Sequence, residues 1–112
     1  MSKAYDIGSL FREQLMFQEL LGFRVPTDDP EMLAHNAIGL VTEIGEVMQA
    51  DKRWKKNKRN THYDRDEKLS EFADVTIFLI NMCLYSNITA KDLHEAVLKK
   101  INTNKQRYLK ED

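Results

Sequence analysis

The sequence predicts an all-α fold, a bundle of four helices or five that oligomerises through helix faces. Three observations predict it. Apolar residues recur three and four apart in each long segment, and nothing alternates as a strand does. Helix starts and stops punctuate the ends of those segments. The third segment is apolar almost all round, which marks a central helix.

The first helix is predicted over residues 5–21, with Ile7, Phe11 and Leu15 on one face and Gly22 as its stop. Phe17 and Leu20 lie away from that face. The connection 22–29 contains Pro26, and Thr27, Asp28 and Asp29 offer N-caps ahead of Pro30, a residue suited to the first helical position. The second helix runs from there to about Trp54. Its apolar face is broad, with Val41, Ile44 and Met48 at the centre and Ile38 and Val47 at the margins. A polar loop over 55–65 follows. The third helix spans about 66–85, with Asn87 as a breaker. Thr89 and Asp92 form a capping-box pattern, Asp replacing the usual Glu, for a fourth helix over about 90–109.

A chain of 112 residues is one domain, 1–112, with a core of its own. Its 42% hydrophobic and 31% charged content is ordinary for a globular protein, and a net charge of −1 indicates no global attraction to nucleic acid. The single Cys83 excludes an internal disulfide and fits a reducing, cytoplasmic setting. Charged residues within the first 14 positions argue against a signal peptide. The best apolar stretch, 75–85, is far below the roughly 20 residues that span a bilayer, so no membrane partner is expected.

The chemistry concentrates in two pairs of acids at helical spacing, Glu43-Ile-Gly-Glu46 and Glu71-Phe-Ala-Asp74. Residues three apart share a side of a helix, so each pair projects together. Carboxylates in apolar surroundings are costly unless paired or bound to metal. No Lys or Arg lies between Glu31 and Ala50 or between Glu71 and Ala90, and Lys68 is the only nearby cation. Local ion pairs therefore cannot account for all four acids. A divalent cation between two facing helices does.

At about 100° per residue, Glu71, Asp74, Phe78, Asn81 and Tyr85 share a face of the third helix. Asn36, Gly39, Glu43, Ala50 and Trp54 form a stripe on the second, with Glu46 at its edge. Gly39 and Ala50 leave room beside the carboxylates for a cavity flanked by Phe78, Trp54 and Tyr85, which suits a metal with a flat aromatic ligand. Oxygen-only ligands favour Mg²⁺ or Mn²⁺. No His sits at the offset used by di-iron bundles, and His35, His62 and His94 are too scattered for zinc.

These residues also carry a resemblance. Leu40-Val-Thr-Glu-Ile-Gly-Glu-Val47 followed by Glu71-Phe-Ala-Asp-Val75 resembles the MazG-like all-α nucleoside triphosphate pyrophosphohydrolases, whose mark is E-x-x-E, a spacer, then E-x-x-D. Glu95-Ala-Val-Leu-Lys-Lys-Ile-Asn-Thr-Asn-Lys-Gln-Arg-Tyr108 is similar to their K-x-x-x-N-x-x-R-Y ending. The resemblance covers about 37–108. It implies Mg²⁺-dependent hydrolysis of a (deoxy)nucleoside triphosphate to monophosphate and pyrophosphate, a nucleotide-pool housecleaning activity. It implies metal binding by Glu43, Glu46, Glu71 and Asp74, with Glu43 and Glu46 the better candidates for base. It implies phosphate contacts from Lys100, Asn104 and Arg107, which also share a helical face. A homodimer or homotetramer is implied as well. One departure is Thr42, where many members carry an acid.

Trp54 resembles a base-pocket Trp of the related dimeric dUTPase-like and dCTP-hydrolysing branches; the alternative is a helix-end anchor. Gln14 and Gln18 have amides able to read a pyrimidine edge, or to bond each other or sit at an interface. Asn81 and Phe78 complete the base-pocket candidates. The basic run 52–59, six cations, is either a solvated turn or a loop that folds over the triphosphate. Cys83 reads as inert core. Two other functions compete: a non-catalytic helical interaction or regulatory protein, against which all four acids stand, and a nucleic-acid module on the basic run, against which near-neutral charge stands.

Overall fold

The computed structural model describes residues 5–55 and 62–110 and contains four helices: α1 (Ile7–Leu20), α2 (Pro30–Ala50), α3 (Arg65–Leu84) and α4 (Ala90–Lys110). No strand occurs among the described residues; the pairs Asp28 with Ser86 and Asp51 with Tyr63 make isolated bridges.

Local chemistry explains the boundaries. Asp6 caps α1 by accepting from the Ser9 N–H at 2.7 Å. The end of α1 is a Schellman turn: Phe23 N–H donates to Gln18 C=O and Gly22 N–H to Glu19 C=O, with Gly22 at φ +97°. Only glycine enters that region without a Cβ penalty. Asp29 caps α2 through the Met32 N–H, with Pro30 at the first position, as expected. Asp64 caps α3 by accepting from Asp66 and Glu67 N–H. The Thr89–Asp92 box closes in both directions at 3.0 and 3.1 Å. Asn87, at φ +56°, breaks the chain after α3.

α2 differs from expectation. It stops at Ala50, four residues before Trp54, because Asp51 turns to an extended conformation. Asp51 is drawn out of the helix by its partners: Arg53 donates to both of its carboxylate oxygens at 2.8 Å and Lys68 to one at 2.9 Å. The Arg53 guanidinium also lies 3.6 Å above the Tyr63 ring.

α2 and α3 form an antiparallel pair fastened at both ends. Thr27 and Asp29 N–H donate to Leu84 and Tyr85 C=O at one end. Lys52 N–H donates to His62 C=O, and Asp64 N–H to Ala50 C=O, at the other. α1 packs on α3 and on the start of α4. Phe11, Val25, Ile80, Cys83, Leu84 and Tyr85 form the buried core, joined by Ile7, Leu15, Met32, Ala90 and Leu93. The expected inner face of α1 is therefore the real one. Cys83 is buried, and burial pushes its thiol up.

The face expected at the centre of α2 is not the packed one. Val47, Ala50 and Asn36 are buried, while Val41, Ile44, Met48 and Ile38 are exposed. Broad apolar patterning could not tell the two sides apart; the carboxylate side is the one that meets α3. No helix among the described residues is long and apolar enough to cross a membrane.

Candidate active site

The site sits in the α2–α3 seam. Glu43 projects from the middle of α2, and Glu71 and Asp74 from the first half of α3. One carboxylate oxygen from each lies within 4.8 Å of the others. All three residues are half-buried. The helical spacing brings Glu71 and Asp74 together, and the antiparallel pairing brings Glu43 to meet them. Glu46, one turn further along α2, is exposed and lies outside this set of three.

Electrostatics mark the cluster as strained without a cation. Burial pushes the Glu71 carboxyl above the usual glutamate range, and a hydrogen bond with Glu43 adds to it. The negative charges of Glu43, Asp74 and Glu46 push the same way. None of these acids makes an ion pair among the described residues. Lys68, one turn before Glu71, points instead to Asp51. The Arg53 hydrogen bonds, then that of Lys68, hold the Asp51 carboxyl well below the usual carboxylate range. Three oxygen donors converging without a counter-charge among the described residues fit a hard divalent cation and offer nothing to soft metals.

A family model described as dUTPase matches residues 6–111. The chain belongs to the dUTPase family. It is therefore a nucleoside triphosphate hydrolase, of a family that generally uses a divalent metal. The match supports the dUTPase-like branch; the narrower MazG-like assignment is not what it reports. Among curated proteins no match to the chain is found.

The remaining candidates of this dUTPase-family chain are dispersed. The room expected at Gly39 is filled by the Phe78 ring, which lies where a Cβ on Gly39 would be. Ala50 is fully buried. Tyr85 is 2% exposed, and its hydroxyl donates to Gln18 Oε1 at 2.6 Å in the core. Trp54, beyond the end of α2, is exposed. Its Nε1 donates to Met48 C=O at 3.3 Å. It borders a shallow cavity of about 470 Å³ with Val47, Met48, Asp51, Arg53, Lys68 and Phe72. Phe78, Trp54 and Tyr85 thus occupy three places, and the cavity that Trp54 borders is lined by neither Phe78 nor Tyr85 among the described residues.

The amides form a network rather than a bare pocket wall. Gln14 Nε2 donates to Asn81 Oδ1 at 2.9 Å, Asn81 Nδ2 to Asn36 Oδ1 at 3.1 Å, and Asn36 Nδ2 to Met32 C=O at 2.8 Å. Gln14 and Gln18 do not bond each other; Gln14 reaches Asn81 of α3, and Gln18 reaches Tyr85 just past its end. The sequence signal for this network was weak: three amides on three apolar helix faces, with no spacing rule linking them.

Lys100, Asn104 and Arg107 lie on the exposed part of α4. α4 packs on α1 and runs along neither α2 nor α3, so one chain does not gather these residues with the carboxylates. Residues 56–61, including Lys56, Lys58 and Arg59 of the basic run, lie outside the described residues. The clamp of Asp51, Arg53 and Lys68 was missed from sequence; the isolated Lys68 was its one trace. The histidines are exposed, and His62 faces Glu67 at 3.2 Å.

Proposed function

We propose that this chain hydrolyses a deoxynucleoside triphosphate, with dUTP the first substrate to test, to the monophosphate and pyrophosphate in the presence of Mg²⁺. The convergence of Glu43, Glu71 and Asp74 within 4.8 Å carries the reading. These three would hold the cation, which would neutralise phosphate charge. Glu46, exposed beside the cluster and outside it, is the acid left free to orient an attacking water and take its proton. Glu43 is the alternative base. The half-buried seam limits water around the acids, which would strengthen the attraction of a bound cation for the carboxylates and for the phosphates.

The phosphate role of Lys100, Asn104 and Arg107 is proposed to be exercised between copies of the chain. The support is that α4 leaves its own α2–α3 pair. Pyrophosphate release from a panel of dNTPs, with Mg²⁺ and with chelator, tests the activity. Release from dUTP that needs the metal supports it; no release from any dNTP sinks it. Co-expression of a Glu71→Gln chain with a Lys100→Ala/Arg107→Ala chain tests the shared site. Each is expected to be inactive alone and the mixture to regain about a quarter of wild-type activity, since half the dimers are mixed and each holds one intact site.

A further inference from the structure

We propose that the groove between α1 and α3 binds a small organic ammonium ion, an apolar body carrying a protonated amine. Its floor is the buried Ile80, and its walls are Leu10, Ala73 and Ile77. Its polar rim is Glu13 and Gln14 of α1 with Thr76 of α3. It encloses about 410 Å³, inside the roughly 300–1,000 Å³ of small-molecule sites. At about 100° per residue, its α3 residues lie roughly 140° around the helix from Glu71 and Asp74. The groove is therefore separate from the carboxylate site.

The rim selects the ligand, because each of its side chains presents an acceptor. The direction of the amide network fixes this for Gln14. Met32 C=O can only accept, so Asn36 turns Nδ2 to it and Oδ1 to Asn81. Asn81 then meets Asn36 with Nδ2 and Gln14 with Oδ1, which takes up Gln14 Nε2. Gln14 Oε1 is left without a partner among the described residues. The Thr76 hydroxyl donates to Phe72 C=O at 2.9 Å, which leaves its oxygen to accept. The Glu13 carboxylate only accepts, and it makes no ion pair among the described residues.

No Lys or Arg lines the groove among the described residues. Three acceptors, one of them negative, thus stand around an apolar floor. A primary ammonium brings three N–H donors and one positive charge, and its hydrocarbon body covers the floor. A nucleotide brings negative charge, which Glu13 opposes. A neutral apolar molecule leaves the acceptors unpaired as it displaces their water.

Amide chemical shifts of the full chain, titrated with benzylammonium chloride in the presence of Mg²⁺, test the proposal. Saturable shifts are expected at Leu10, Gln14, Ala73 and Thr76, with a dissociation constant in the millimolar range or tighter. The amides of Glu43, Glu71 and Asp74 are expected to stay in place. Benzyl alcohol is expected to bind more weakly and phenylacetate not at all. Glu13→Lys should raise the dissociation constant at least about tenfold, since it turns an attraction into a repulsion. Ala73→Leu should abolish binding by filling the groove. Both positions are exposed and both new residues suit a helix, so folding is not at risk. No saturation at the groove by about 20 mM amine overturns the proposal. So does equal affinity in Glu13→Lys, Ala73→Leu and wild type, or phenylacetate binding as tightly as the amine. Groove shifts that follow protein concentration instead of amine overturn it too, since they assign the groove to a second copy of the chain. None of these outcomes bears on the nucleotide assay, so the two readings fail separately.

Discussion

The two glycines of α2 make the most instructive comparison in the molecule. Gly39 faces the seam with α3, and the Phe78 ring lies against its Cα. Gly45, six residues on, faces outward, and among the described residues no atom outside the neighbouring backbone of α2 lies within 4 Å of where its Cβ would be. One side of the helix is therefore finished within the chain, and the other is not. The finished side holds the carboxylates, the amide network and the aromatic packing. The unfinished side holds Ile38, Val41, Ile44 and Met48, all exposed among the described residues. A glycine on each of two faces thus has opposite meanings, and only the neighbours tell which is which.

The largest expected effect breaks the chemistry of the finished side. Glu71→Gln should reduce dUTP hydrolysis at least about 100-fold, because a cation then loses a charged ligand. Mg²⁺ should raise the melting temperature of wild type, by about 2.7 kcal/mol of stabilisation at a hundredfold excess over its dissociation constant, and should do far less for the variant. Hydrolysis at the wild-type rate would remove Glu71 from the site.

Gly39→Ala should destabilise the chain by about 1–3 kcal/mol through overpacking against Phe78. Phe78→Leu in the same background should recover part of the loss. Urea melts of the three variants provide the measurement, and a neutral Gly39→Ala would mean the seam is looser than its geometry.

Asn81→Ala should cost about 1–3 kcal/mol, since it leaves the half-buried Gln14 amide donor and the buried Asn36 Oδ1 without their partner. Asn81 makes both bonds at once, so Asn81→Ala/Gln14→Leu should cost less than the separate changes combined. Strict additivity in denaturant melts would refute the network.

The smallest effects are in pH, and two acids should show opposite signs. Glu71 binds its proton more tightly folded than unfolded, so its contribution is fully present below the unfolded value and is lost as pH rises through the folded one. Without metal, Glu71→Gln should therefore melt higher than wild type at neutral pH, and the gap should close on acidification. Asp51 is the reverse. Its carboxyl is depressed by Arg53 and Lys68, so its contribution is present above the unfolded value and is lost as pH falls through the folded one. Asp51→Asn should melt lower than wild type at neutral pH, with the difference vanishing in acid. Gaps of the same sign in the two variants would contradict the local electrostatics described above.

The helices and their ends, that of α2 excepted, were legible in the sequence because capping is local. Asp29 before Pro30, the Thr89–Asp92 box, Gly22 and Asn87 act within a few residues of themselves, and each does in the structure what its type allows. The acid pairs were legible for the same reason, since a three-residue spacing decides which carboxylates share a side. Long-range partners were not. That Glu43 meets Glu71 and Asp74 while Glu46 stays outside, that Phe78 fills the space at Gly39, and that Asp51 ends α2 early by holding Arg53 and Lys68 all depend on the register between α2 and α3. The same register sends Val47 inward and leaves Val41, Ile44 and Met48 outside, the reverse of what periodicity suggested. Periodicity ranks residues by polarity and assigns each an angle; which angle meets a neighbour is decided only when two helices pack.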